Sequence, residues 1–166
     1  MNKLIKTIFS AVLLLMVCSV SAQNVVPSYD LTQTGALELA EQARLEAQKL
    51  DKNVSVAVLN GSGVTILLLK GDNVGPHNTE ASRRKAYAAL STKTPSFELM
   101  QKAAADPTAH NLNTLPELLL LGGGVPVWKD GNLVGSLGVS GAGGGQGDHD
   151  VARKAVENLG FTIEKK

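Results

Sequence analysis

At 166 residues the chain has room for one ordinary domain and not comfortably for two. Hydrophobic residues make up 43% and charged residues 19%, with 16 Lys and Arg against 15 Asp and Glu, a balance that disfavours both disorder and a phosphate-gripping nucleic-acid binder. Aromatics are 4% against 17 glycines, too few rings to stack single-stranded bases, so the core has to be Leu, Val and Ala with closely approaching backbones.

The first 22 residues read as a secretory signal peptide. Lys3 and Lys6 give a positive start, residues 8–17 are apolar apart from Ser10, and Val20-Ser21-Ala22 offers small residues for cleavage. The apolar run is too short to span a bilayer, so no membrane insertion is expected once it is removed. Cys18 raises a lipoprotein alternative, but such a cysteine normally follows a small residue and Val17 is not one, so a soluble periplasmic or secreted form is expected. Removing the signal takes the only cysteine with it, which excludes disulfides and thiolate metal sites from the mature chain.

Residues 23–30 hold a proline and no period, and are expected as an extended lead-in to a single domain over 31–166. Thr32 caps a first helix to about Leu50, with Leu37, Ala40, Ala43, Ala47 and Leu50 at three- and four-residue steps. Residues 54–59 and 64–69 flank Asn60-Gly61-Ser62-Gly63 and predict a hairpin. Its second strand lacks alternation, so both faces are expected to be covered, by helices or by another subunit.

A loop over 70–77 leads to a second helix over 80–92, capped by Asn78 or Thr79, whose Ala81, Ala88 and Ala89 form a flat face able to approach a sheet. Pro95 stops it, and residues 96–105 predict a short third helix before a loop at Asp106-Pro107. Residues 125–129 and 132–139 flank Asp130-Gly131, a strong hairpin signal. A glycine-rich loop over 140–147 precedes a last helix capped by Asp148 and ended at Gly160. The order α-β-β-α-α-β-β-α implies an α+β domain, with a central antiparallel sheet built from two hairpins and helices packed against it.

Of the three histidines, His110 reads as a solvated loop residue and His149, between Asp148 and Asp150, as a surface residue in a first helical turn. His77 is different. It follows Gly75-Pro76 just before a helix and is trailed by Arg83, Arg84 and Lys85. A loop-edge imidazole with cations nearby offers haem an axial nitrogen and partners for its propionates, although the same residues also suit a plain solvated helix face. The glycine-rich loop lacks a Walker lysine, and Asp148 at its end opposes an anion, so a phosphate site is not expected. Gly138-Val139-Ser140-Gly141-Ala142 falls one glycine short of a nucleophile elbow.

Gly123-Gly124-Val125-Pro126-Val127, Asp130-Gly131 and residues 134–141 (VGSLGVSG) resemble the signature of the GlcG/HbpS-like haem-binding family, itself similar to the C-terminal domain of PduO-type corrinoid adenosyltransferases. Gly75-Pro76-His77-Asn78-Thr79-Glu80, residues 83–87 and the Val56-Ala57-Val58 hairpin with Gly61 and Gly63 resemble it too, so the likeness runs from about residue 31 to 159. Two departures stand out: Lys70-Gly71-Asp72 occupies a place where the family often has an arginine-containing turn, and Gly145-Gln146-Gly147-Asp148 replaces a Glu-Gln-Asp-like run.

The resemblance implies a homo-oligomer that binds haem b, with His77 as iron ligand and Arg83, Arg84 or Lys85 on a propionate, for haem storage, sensing or transfer. The alternatives are an enzyme acting on a small metabolite or degrading haem, for which Asp72 with His77 is the one nearby proton-transfer pair, and a non-catalytic oligomer that binds an unidentified protein partner.

Overall fold

The computed structural model describes residues 27–166. The expected signal peptide, Cys18 and the start of the lead-in lie outside them. Residues 27–30 are exposed and belong to no helix or strand. The chain then runs α1 (Gln33–Gln48), β1 (Ser55–Asn60), β2 (Thr65–Leu69), α2 (His77–Thr92), α3 (Ser96–Ala105), a one-turn α4 (Pro107–His110) with a 3-10 turn (Asn111–Thr114), β3 (Gly124–Lys129), β4 (Asn132–Ser140) and α5 (Gly145–Asn158). This is the expected α+β order, with one addition: the loop after α3 coils into α4. Asp106 starts that turn, its carboxylate accepting from the Thr108 N–H at 2.8 Å ahead of Pro107 at the first helical position.

The four strands form one antiparallel sheet in the order β2-β1-β4-β3, each hairpin contributing an edge and an inner strand. Asp130 and Gly131 both take positive φ, 49° and 74°, which a two-residue hairpin between right-twisted strands requires. Alternate side chains of β1 go to opposite faces. Val56 and Val58 join Leu39, Ala43, Ala47, Val151 and Val156 in the larger core beneath α1 and α5. Ala57 and Leu59 meet Ala86 and Leu90 of α2 on the other side.

On that second side the helix lies nearly on the sheet backbone. A Cβ at Gly138 would collide with the Ser82 carbonyl, and one at Gly124 with the Lys85 carbonyl. Glycine in the strands and Ala86, Ala88 and Ala89 in the helix together allow this approach.

Two local expectations are corrected. Neither Asn78 nor Thr79 caps α2, which starts earlier, at His77, behind Pro76 and without a side-chain cap. Asp148 does not cap α5 either. The helix begins at Gly145, and the Asp148 carboxylate in its first turn reaches back to accept from the Gly141 and Ala142 N–H groups at 2.9 and 2.7 Å. β2 is an edge strand: Val64 just before it and its own Leu68 and Leu69 are 62%, 40% and 47% exposed in the single chain, which leaves another subunit as the expected cover.

Candidate functional site

His77 is the first residue of α2 and is exposed. It lies within the turn closed by the Asn78 N–H on the Gly75 carbonyl at 3.0 Å. A Cβ on Gly75 would come within 3.0 Å of the His77 Cε1 and 3.2 Å of its Nδ1, so the glycine makes room for that edge of the ring. Within the described residues no hydrogen bond occupies the imidazole.

The basic triplet divides. Arg83 is held in an acidic clamp: it donates to both carboxylate oxygens of Glu80, at 3.0 and 2.6 Å, and to Glu117 at 2.9 Å. Its guanidinium holds the Glu80 carboxyl below the ordinary range. Arg84 donates one bond to the Leu118 carbonyl at 3.0 Å, while its Nε is buried with no partner. Being seven residues apart, His77 and Arg84 share a helix face.

Lys85 is fully buried, which overturns its expected place facing a propionate. Its ammonium donates to Asp148 Oδ2 at 2.7 Å, to the Val139 carbonyl at 3.2 Å and to Ser140 Oγ at 3.2 Å. Three donors meet three acceptors, so the group is an internal fastener between α2, the end of β4 and α5.

Asn78, Ser140 and Asp148 are the site residues that sequence reasoning missed. Ser140 Oγ bonds Asn78 Oδ1 at 2.7 Å, and the Asn78 side-chain amide bonds the Gly75 carbonyl at 3.2 Å. A signal for Lys85 was present: residues 81, 85, 88 and 89 fall on one helical face, so the lysine belongs to the alanine stripe that meets the sheet. For Asn78 the signal was its place closing a Gly-Pro turn.

The other histidines lie apart. His110 is exposed at the end of α4. His149 is not the surface residue expected: its ring stacks on Phe97, centroids 5.2 Å apart, with Nδ1 buried and unpartnered, and burial pushes its pKa down. Among the described residues no three metal-ligating side chains gather. The Asp72 carbonyl accepts from Asn53 at 3.0 Å, and among the described residues Asp72 makes no hydrogen bond to His77. A groove of about 480 Å³ runs between α1 and β2, floored by Leu37, Ala40, Val54 and Leu69 and rimmed by Arg44 and Lys70.

A four-stranded antiparallel sheet between two helical layers, with a polar cluster where the glycine-rich loop meets the start of α2, defines the class as a small layered α+β protein. The family model described as "Haem degrading protein HbpS-like" matches residues 31–157, and the chain belongs to that family. Among solved structures, a double mutant of HbpS from Streptomyces reticuli is 35% identical with a TM-score of 0.76, over 85% of this chain and 94% of that one. A structure described as a PduOC:heme complex is 25% identical with a TM-score of 0.73, over 82% and 99%. Protein GlcG of Escherichia coli K12 is 36% identical over 110 residues, 66% of this chain and 81% of that protein. Corrinoid adenosyltransferase PduO of Salmonella typhimurium is 28% identical over 121 residues, 72% of this chain, and the chain spans only 36% of its length.

Proposed function

We propose that this protein binds haem b through an axial bond from His77 to the iron, with a propionate on Arg84, and that it stores, senses or transfers haem outside the cytoplasm. One observation carries the reading: an exposed imidazole without an internal hydrogen bond stands at the start of α2, and a half-buried guanidinium with a single bond to the protein lies two turns along the same helix, a rise of about 10 Å. A neutral imidazole is a good iron ligand, and the Arg84 guanidinium has donors left for a carboxylate. Arg83 contributes from the rim, while Lys85 is withdrawn from ligand contact by its own three bonds. The haem complex of a relative with this fold supports the same ligand class. When bound, haem would bring redox-active iron to the α2 entrance.

The oligomer and the export route belong to the same proposal. The open apolar edge at β2 favours a symmetric assembly of identical chains. Cleavage after Ala22 would give a mature protein beginning at Gln23, which the intact mass of exported material tests; a diacylated Cys18 would overturn it.

Haemin titration followed at the Soret band tests the ligand. His77→Ala should shift or abolish the band and weaken binding about tenfold or more, while His110→Ala and His149→Ala leave it in place. An unchanged spectrum in a folded His77→Ala protein would move the iron elsewhere. Absence of any Soret change in the wild type would favour the non-haem alternatives.

A further inference from the structure

Building on the reading that His77 binds the iron, we propose that Asn78 is a positioning residue that fixes the turn carrying His77, and that its orientation is dictated through Ser140 by the buried Lys85–Asp148 pair.

The argument follows the protons. The Lys85 ammonium can only donate, and it points one hydrogen at Ser140 Oγ, 3.2 Å away. The hydroxyl therefore offers an accepting lone pair to the lysine and has its single hydrogen left for Asn78, whose Oδ1 lies at 2.7 Å. That assigns the amide: oxygen toward Ser140, nitrogen toward the Gly75 carbonyl at 3.2 Å. The same carbonyl also accepts from the Asn78 backbone N–H at 3.0 Å. Gly75 and Asn78 are thus joined twice, and Pro76 and His77 are the two residues between them.

Pro76 has its φ fixed by its ring, and the Cε1–Nδ1 edge of His77 lies beside Gly75, so little freedom remains in the turn. Nε2 is the ring nitrogen farther from the glycine. Asp148 completes the chain of control, because it binds Lys85 with one oxygen and the glycine-rich loop with the other. The turn that carries His77 and the first turn of α5 are therefore linked by an unbroken series of hydrogen bonds whose directions follow from one charged group. Holding the ligand nitrogen in place before iron arrives would avoid an ordering cost on binding.

The test uses the full mature protein and haemin. Asn78→Ala removes both side-chain bonds. Asn78→Asp keeps the acceptor for Ser140 and loses the donor to Gly75. Both should weaken haemin binding about tenfold and increase the high-spin fraction of the ferric spectrum. Ser140→Ala should act in the same direction and Ser140→Thr should restore wild-type behaviour. In the ligand-free protein, the His77 ring proton signals should move toward those of an unconstrained histidine in Asn78→Ala, a change that lost stability alone would not produce.

Should Asn78→Ala fail to fold, Asn78→Asp decides. If His77→Ala alters the spectrum while folded Asn78 and Ser140 variants match the wild type in affinity, spin state and ring signals, the positioning role is overturned and the haem reading stands. If His77→Ala changes nothing, both fall.

Discussion

Lys85 shows what one buried charge demands. An ammonium with no exposed surface is tolerated because every hydrogen has an acceptor, and removing it strands the Asp148 carboxylate in the interior. Lys85→Met, which keeps the volume, should therefore cost about 3–5 kcal/mol, read as a lower urea midpoint. A loss below about 1 kcal/mol would mean that Asp148 is held well enough by the Gly141 and Ala142 amides alone. His149 gives a pH-dependent counterpart. Burial lowers its pKa from the ordinary 6.5, with Asp150 opposing and Arg153 assisting. The folded protein then holds fewer protons than the unfolded chain near that pH, so this contribution is present above the ordinary histidine range and is lost as the pH falls through it. His149→Phe keeps an aromatic on Phe97 and should flatten the dependence, measured as the difference in urea midpoint between about pH 8 and about pH 5.5. Equal slopes in the two proteins would reject the assignment. At this scale the sequence was legible only in part. His77 stood out because a histidine after Gly-Pro at a helix entrance is conspicuous, whereas Ser140 and Asp148 gain their roles from residues more than fifty positions away.

At the scale of elements, the close seat of α2 on the sheet rests on two strand glycines. Gly138→Ala drives a methyl group into the Ser82 carbonyl, and since backbone cannot turn aside as a side chain can, a loss of about 3 kcal/mol is expected, at the upper end of ordinary overpacking. Gly35→Ala is the control. Its Cβ would meet nothing closer than the Thr32 hydroxyl at 3.4 Å, and alanine within α1 should stabilise by about 0.5–1 kcal/mol. Thermal unfolding of both variants tests the pair, and a Gly138→Ala protein as stable as the wild type would show that α2 can shift outward freely. The two hairpins and the three longest helices were legible because their signals are local: Asp130-Gly131, the alanine stripe, and the Thr32 hydroxyl that accepts from the Gly35 N–H at 3.1 Å. Helix starts were less so. Pro76 and Gly144 begin α2 and α5 without side-chain caps; Asn78 and Asp148, which looked like caps, bond elsewhere, and the Thr79 hydroxyl is buried without a partner.

For the whole molecule, β2 is where the sequence was ambiguous in principle. An unalternating apolar run reads the same whether a helix or another subunit covers it. With Leu68 and Leu69 on opposite faces of an open edge, Leu68→Lys with Leu69→Lys should convert an assembled protein to monomers without unfolding it, as judged by light scattering together with circular dichroism. Assembly that survives both lysines would locate the contact elsewhere. The strand order carries a further consequence, for the time course of folding. The inner pair joins β1 to β4 and brings together residues as distant as Ser55 and Ser140, so the first hairpin waits with one edge open until nearly the whole chain is available. During that interval two unfinished copies could pair edge to edge, which makes crowding of nascent chains, rather than the slow step within any one of them, the main hazard to yield.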